Sequence, residues 1–294
     1  KWYPGESLPR WTFSLYWRRD GRPIWSDAAL VAEEGANTGA GPKEAEELLK
    51  TIATELDVAP AHVVPAFEDP ATWIIKEGSL PENVTPANSE LEDPEERARI
   101  ARVFARGLTE PAGYVLPIQR WQARSAGRRW RSEKWKLRRG MVFLVPGDSP
   151  VGYRLPLGSL PHIPPASYPY VNVADPTEER GPLPDFDMGD GAHRAQPMAH
   201  FTASSDTQLQ VEQMLGDVDG AVRTAMSVEP RDGRLCVFMP PVERIEDYLE
   251  LVAAAERAAR QCGLPVHIEG YAPPVDPRMN VIRVAPDPGV IEVN

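Results

Sequence analysis

The chain has 294 residues, of which 42% are hydrophobic, so it can bury a sizeable core and is not a disordered polypeptide. Its 32 Lys and Arg against 43 Asp and Glu give a formal net charge of −11, which repels nucleic-acid phosphates and makes nucleic acid an unfavoured partner. Proline occurs 32 times, about twice its usual share, which predicts many rigid turns.

The two cysteines, Cys236 and Cys262, are too few for a disulfide framework and indicate a reducing compartment. No apolar run approaches the roughly 18 residues of a membrane span, and the amino terminus lacks the features of a signal peptide. We therefore expect a cytoplasmic protein that does not bind membranes. Because the chain starts without Met and stops inside the strand-like run VIEVN, we also expect it to be an internal fragment.

The first half of the chain contains two helical patterns and one hairpin pattern. Aromatic and charged residues around Asp20-Gly21 predict a β-hairpin over 11–25. Apolar residues at helical spacing predict an amphipathic helix over 42–58. A capping box that begins at Asp93 predicts a second helix, which ends at Gly107.

The middle of the chain changes from strands to proline-rich segments. Residues 128–145 predict two strands joined by a turn at Arg139-Gly140, the second strand being apolar enough to be central. Residues 146–197 predict an ordered wrap followed by an inter-domain linker, because turn-forming residues recur every few positions.

These patterns predict an α+β protein of largely antiparallel sheets with packed helices. We expect a first domain over 1–174, a linker over 175–199 and a second domain over 200–294. In the second domain, a hairpin with an Asp232-Gly233 turn precedes a helix over 243–262. Strand 221–228 is the first strand of this hairpin, and the other predicted strands of the domain are 264–269, 280–285 and 289–294.

The closing strand carries polar residues that could form a site. Glu292 and Asn294 project together, because side chains alternate along a strand. This pattern fits either an edge strand with a polar outer face or a central strand whose glutamate meets a cation. Glu229, at the end of strand 221–228, is either a solvated turn residue or a second carboxylate for the same Mg²⁺. We predict that strands 221–228 and 289–294 share one sheet, since the helix between them needs a common surface.

Several long runs resemble the bacterial family known as DUF2126, and the resemblance covers essentially the whole chain. The runs are KWYPGESLPRW, LEDPEERARIARVF, GDSPVGYRLPLGSLP, EPRDGRLCVFMPPVE and PDPGVIEVN. The segment NVIRVAPDPGVIEVN is also similar, more distantly, to the part of glutamine synthetases in which a Pro-Gly turn leads into a strand with a metal-binding glutamate. The resemblance implies an amidoligase with a glutamine-synthetase-like core, preceded by a transglutaminase-like portion.

The resemblance also implies a chemistry and a set of residues. The implied reaction is the ATP-driven joining of a carboxylate to an amine through an acyl phosphate, with Mg²⁺ on the phosphates. Glu292 and Glu229 would be metal ligands, and Asn294 a contact to substrate or to the metal shell. Arg154 and Arg283 would hold a substrate carboxylate or phosphate. Alternatively, Arg154 only ties down the proline-rich wrap and Arg283 only faces solvent.

One part of the family pattern lies beyond this sequence. The glycine-rich segment that ends in Asn-His, similar to the nucleotide loop of glutamine synthetases, follows VIEVN in the family. We therefore expect residues 1–294 alone to be inactive as a ligase and to bind Mg²⁺–ATP weakly. The alternative is a non-catalytic substrate-binding or scaffolding module attached to a transglutaminase-like enzyme.

A basic segment and the histidines are weaker signals. Residues 120–139 hold nine Arg or Lys and three Trp, a mixture that suits either single-stranded nucleic acid or a solvated sheet face with buried tryptophan anchors. We favour the second interpretation and expect no nucleic-acid partner, since the whole chain is acidic. The histidines show no metal-binding spacing, although His267 and Glu269 could face the same side as Glu292.

Overall fold

The structure of the protein is a computed structural model that describes most of the chain. The described residues are 12–33, 35–79, 82, 85, 97–98, 100–103, 109–120, 130–137, 140–164, 180–186, 220–287 and 290–293. In these residues the fold is α+β, as the sequence predicts, with antiparallel and parallel strand pairs and packed helices.

The elements that the structure describes are named here in chain order. The helices are α1 (Pro42–Glu55), α2 (Pro70–Gly78) and α3 (Ile245–Cys262). The strands are β1 (Phe13–Arg18), β2 (Val64–Phe67), β3 (Gly113–Pro117), β4 (Gln119–Arg120), β5 (Trp130–Arg131), β6 (Val142–Phe143), β7 (Ala225–Arg231), β8 (Arg234–Met239), β9 (Val266–Gly270), β10 (Met279–Asp287) and β11 (Val290–Val293).

A six-stranded sheet in the order β6-β2-β3-β7-β8-β9 forms the centre of the protein. The β2–β6 and β8–β9 pairs are parallel, and the other pairs are antiparallel. Helices α1 and α3 cover one face of this sheet. Fully buried side chains there include Leu48, Ile52, Leu116, Met226, Leu235 and Met239. Burial of this apolar surface is the main source of stability of the sheet.

Both covering helices have local signals that explain their bounds. Pro42 occupies the first turn of α1, and the Glu44 carboxylate accepts a hydrogen bond from the Gly41 N–H at 2.8 Å. Gly263 ends α3 in the left-handed conformation, at φ 67°. The predicted helices over 42–58 and 243–262 are therefore confirmed, with α1 ending three residues early.

The other face of the six-stranded sheet is covered by the proline-rich segment. Two 3₁₀ turns, Val151–Tyr153 and Leu157–Ser159, shape this segment. Its apolar residues join a second buried cluster that contains Val115, Trp135, Leu144, Val151 and Leu160. Residues 146–164 thus form the ordered wrap that the prolines predict.

Strands from both sides of the predicted domain boundary pair with each other in the six-stranded sheet. The central pair of the six-stranded sheet joins β3, from the predicted first domain, to β7, from the predicted second domain. Residues 180–186 of the predicted linker are packed, since Leu183 lies in the main core and Arg18 donates hydrogen bonds to the Leu183 and Pro184 carbonyls. The described residues therefore share one core across the predicted boundary.

A smaller three-stranded sheet has the order β1-β10-β11, and all its pairs are antiparallel. The predicted hairpin over 11–25 is wrong, because β1 pairs with the distant β10. The predicted hairpin over 128–145 is also wrong, since β5 pairs with β4 and β6 lies at the edge of the six-stranded sheet beside β2. In both cases the strands pair with partners other than the neighbour across the predicted turn.

The predicted helix from Asp93 to Gly107 is described only in part. Residues 97, 98 and 100–103 are helical, and Ile100 and Val103 are buried as the pattern predicts. Its predicted ends lie outside the described residues. None of the described helices has both the length and the apolar character that crossing a membrane requires.

Candidate functional site

The two glutamates predicted to share a metal lie on different sheets. Glu229 belongs to β7 of the six-stranded sheet, whereas Glu292 belongs to β11 of the three-stranded sheet. The prediction of one common sheet is therefore wrong. Strand β7 instead takes β3 and β8 as its neighbours, which removes the geometric reason for pairing these two carboxylates.

Arg283 and Glu292 lie on one exposed face of the three-stranded sheet. Glu292 is paired with Ala285, and Arg283 is two residues before Ala285 on β10, so the two side chains are diagonal neighbours. Both side chains are exposed, and neither forms an ion pair with another described residue. Ser14 of β1 is paired with Arg283 on the same face. Met279, farther along this face, is buried in the main core, whereas the exposed end of the face brings a cation and a carboxylate together.

The opposite face of the three-stranded sheet is apolar and also exposed. The exposed fractions are 71% for Phe13, 66% for Leu15, 67% for Ile291 and 63% for Val293. Among the described strands, β11 lies at the edge of its sheet, which favours the alternative of an edge strand with a polar outer face. Asn294 lies outside the described residues.

Glu229 is held in an ion-pair cluster on the wrap-covered face of the six-stranded sheet. Arg231 donates to the Glu229 carboxylate at 2.8 Å and to both oxygens of the Glu269 carboxylate at 2.9 Å. Glu229 also accepts a hydrogen bond from the Val151 N–H at 3.2 Å. The pKa of Arg231 is raised despite burial, because two carboxylates flank its guanidinium.

This cluster does not fit a divalent cation as it stands. The guanidinium of Arg231 takes the position between two carboxylates that a shared metal would need, and its single positive charge offsets one of their two negative charges. In the part of the chain that the structure describes, no group of three or more His, Cys, Asp or Glu side chains could hold a metal ion. Glu229 is therefore a structural partner of Arg231 in this geometry.

His267 and Glu269 lie on the same sheet face as Glu229, not with Glu292. The register aligns Glu229 with Cys236 on β8, and Cys236 with His267 on β9. The predicted common side with Glu292 is therefore wrong. Burial raises the pKa of the Cys236 thiol to about 11, which agrees with the interpretation of this residue as a packing residue.

Arg154 is buried and tied to the protein, so it does not face a substrate. Its guanidinium donates two hydrogen bonds to the Glu68 carboxylate and one, at 2.8 Å, to the Val145 carbonyl. Arg154 is 7% exposed and Glu68 is 9% exposed. The geometry favours the alternative stated above, in which Arg154 anchors the proline-rich wrap.

Two of the three tryptophans in the basic segment are buried. Trp130 lies under Arg120, whose guanidinium carbon is 4.9 Å from the ring centroid, and Trp135 donates its indole N–H to the Val222 carbonyl at 2.9 Å. Both tryptophans are 6% exposed. These rings act as core anchors and are not available to stack on bases, while residues 121–129 lie outside the described residues.

Sequence reasoning missed the Arg231 cluster. The signal was present, because Arg231 is two residues after Glu229 and so shares its face. What the sequence did not reveal was that β9 lies beside β8 and brings Glu269 within reach of Arg231. Of the site residues predicted from the sequence, Arg283 and Glu292 are exposed and lie on the same sheet face.

Comparison with known proteins identifies the family. The model of the family described as "Putative amidoligase enzyme (DUF2126)" matches residues 1–294. No match was found among the curated proteins or among the solved structures. The chain therefore belongs to the DUF2126 family.

Proposed function

We propose that this chain provides part of the substrate site of an ATP-dependent carboxylate–amine ligase. The observation that carries the proposal is the exposed pair of Arg283 and Glu292 on one face of the sheet, in a chain whose family is described as an amidoligase. Exposed charged residues that share a face without forming an ion pair to described neighbours are suited to bind a ligand.

The proposed chemistry has two steps. The γ-phosphoryl group of ATP is transferred to a carboxylate oxygen, which gives an acyl phosphate and ADP. The amine nitrogen then attacks the acyl carbon, and the C–O bond to phosphate breaks as the amine loses a proton. Arg283 suits binding of the substrate carboxylate or the phosphoryl oxygens, since a guanidinium forms paired hydrogen bonds with either group.

Glu292 has the complementary role. Its carboxylate can accept hydrogen bonds from a substrate ammonium group, or it can provide one oxygen ligand to Mg²⁺. When bound with ATP, Mg²⁺ offsets the charge of the phosphates. Glu292 provides a carboxylate on this face, and Mg²⁺ sites commonly use one or two carboxylates with phosphates and water.

Two further points belong to the proposal. The ligase would act in a longer protein that carries a transglutaminase-like portion, on small-molecule or peptide carboxylates and amines. Residues 1–294 alone would bind Mg²⁺–ATP weakly, because a single exposed carboxylate is a poor anchor for a hydrated cation.

A scaffolding role is the second candidate, and a separate observation favours it. The apolar face of the three-stranded sheet exposes Phe13, Leu15, Ile291 and Val293, which is typical of a surface that contacts another polypeptide. In this alternative, Arg283 and Glu292 would be surface residues of a module that positions substrate for an attached enzyme.

The test is ATP consumption by the full-length protein in the presence of a carboxylate and an amine. Glu292→Gln and Arg283→Gln should each lower kcat/KM by about a hundredfold, the usual effect of removing a group that stabilises developing charge. The exposed Glu243→Gln and Arg102→Gln variants are matched controls and should stay within about twofold of the parent.

Thermal melts separate the two candidates. Mg²⁺–ATP should raise the Tm of the full-length protein, and Glu292→Gln should lose most of that shift while its Tm without ATP is unchanged. Wild-type activity in both variants would contradict the ligase site. No Mg²⁺–ATP shift and no ATP consumption in the full-length protein would favour the scaffold.

A further inference from the structure

We infer that a pocket lined by arginines at the end of β1 binds the phosphate group of a small molecule. The pocket has a volume of about 250 Å³ and is lined by Arg19, Asp20, Arg180, residues 181–183, Pro277 and Arg278. We call it the arginine pocket. It involves neither Arg283 nor Glu292, so it does not depend on the proposed ligase chemistry.

Asp276 holds two of the three arginines in place behind the pocket. Arg278 donates from Nε and Nη2 to the Asp276 carboxylate at 2.8 Å each, and Arg180 donates to the same carboxylate. The Asp276 side chain is fully buried. These arginines lower the pKa of Asp276 to about 2, so it remains ionised at neutral pH and keeps both guanidinium groups oriented.

Arg19 is fixed differently and keeps donors for a ligand. Its backbone N–H donates to the Arg278 carbonyl at 3.0 Å, and its Nε donates to the Asn280 side chain at 3.0 Å. The terminal nitrogens of Arg19 form no hydrogen bond with the described residues, and Arg180 uses only Nη1 within the same part of the chain. Both side chains therefore retain N–H groups beside the pocket.

The local charge is positive although the chain is acidic. The three pocket arginines and the neighbouring Arg18 carry four positive charges. Their ion-pair partners carry three negative charges, on Asp20, Asp276 and Glu246. One positive charge is left uncompensated, in a chain whose formal net charge is −11. An anion is therefore the ligand that this pocket would attract.

A phosphate group fits this arrangement better than a carboxylate does. A carboxylate is matched by the planar fork of one guanidinium, whereas a phosphate offers oxygens in several directions and can accept from two. The volume of about 250 Å³ lies just below the usual range for small-molecule sites and suits a small phosphorylated compound.

The experiment is a calorimetric titration of the protein with inorganic phosphate and with pyrophosphate at constant ionic strength. Arg19→Gln and Arg180→Gln should each weaken binding about tenfold, which corresponds to the loss of a charged hydrogen bond. Arg22→Gln is the matched control, because Arg22 pairs with Asp185 near the same segment but does not line the pocket. Its affinity should stay within about twofold.

Acetate and succinate distinguish the two kinds of anion. Phosphate should bind at least about tenfold more tightly than either carboxylate if two guanidinium groups share it. Equal or tighter binding of the carboxylates would overturn the assignment to phosphate.

Arg19 is exposed, so its replacement should leave the fold intact. Near-ultraviolet circular dichroism of each variant checks that the protein is folded. Arg19→Lys should restore part of the affinity, since the charge is kept and the fork is lost. Folded Arg19→Gln protein with unchanged phosphate affinity would overturn the inference. So would an equal loss in Arg22→Gln, or no heat of binding up to about 10 mM phosphate.

Discussion

Arg154 and Glu68 form a doubly hydrogen-bonded ion pair inside the protein, although 86 residues separate them in the sequence. Glu68 directly follows β2, and Arg154 directly follows the 3₁₀ turn Val151–Tyr153. The pair therefore fastens the proline-rich wrap to an outer part of the six-stranded sheet. A second contact, from Arg154 Nε to the Val145 carbonyl, uses the remaining side of the guanidinium.

The first prediction concerns this pair. Arg154→Met should lower the free energy of unfolding by about 3–5 kcal/mol, because the Glu68 carboxylate would stay buried without a cation. Urea unfolding measures the change. Lys50→Met, which removes the exposed pair with Glu46, is the control and should cost less than about 1 kcal/mol. Equal losses of unfolding free energy in the two variants would contradict the argument that Arg154→Met leaves the Glu68 carboxylate buried without a cation.

The second prediction uses two glycines of the wrap. A Cβ atom added at Gly152 would clash with the ring of the buried Phe238, whereas one added at Gly158 meets nothing within 4 Å. Gly152→Ala should destabilise the protein by about 2–3 kcal/mol through overpacking, and Gly158→Ala should be nearly neutral. Chemical denaturation compares them, and a neutral Gly152→Ala would contradict the close contact between the wrap and β8.

The third prediction is a pH dependence that arises from Asp276. Its pKa in the folded protein is lowered from 3.8 to about 2 by the hydrogen bonds from Arg278 and Arg180, which outweigh the opposing effect of burial. Its stabilisation is therefore complete above about pH 4 and is lost as the pH falls through 2, since the unfolded state binds the proton first.

Asp276→Asn removes this dependence. The difference in unfolding free energy between the parent and Asp276→Asn should shrink by about 2 kcal/mol between pH 4 and pH 2. Urea titrations at each pH give the difference directly. If the difference in unfolding free energy stays constant between pH 4 and pH 2, Arg180 and Arg278 do not lower the pKa of Asp276.

The fourth prediction is that the protein does not bind single-stranded nucleic acid. Trp130 and Trp135 are buried, so they cannot stack on bases, and the net charge of −11 opposes phosphate binding. Fluorescence anisotropy with labelled oligonucleotides should show no binding at physiological salt. Submicromolar affinity with a steep salt dependence would overturn this prediction.

Elements with strong local signals could be predicted from the sequence. The hairpin of β7 and β8 is confirmed, because Asp232 and Gly233 both adopt positive φ angles, 53° and 75°, as its two-residue turn requires. Gly263 likewise marked the end of α3. In these cases, the residues that decide the structure are close neighbours in the chain.

The pairing of strands could not be predicted in the same way. Strands β2 and β3 were missed, because each is short and contains a proline, as in the pairing of Pro65 with Tyr114. The candidate site shows the same limit. The neighbours of β7 depend on distant strands, and so the prediction that the strands of Glu229 and Glu292 share one sheet is wrong.

The pairing of β3 with β7 has a consequence for the order of folding. Tyr114 lies opposite Val228, so the centre of the six-stranded sheet stays open until β7 has been synthesised. Until then, β2 and β3 present an unpaired edge on the ribosome, and contacts of such long sequence separation form slowly. We therefore expect the six-stranded sheet to fold only after β7 has been synthesised. Chaperones that protect the unpaired edge should raise the yield of folded protein more than a stabilising mutation in α1 would.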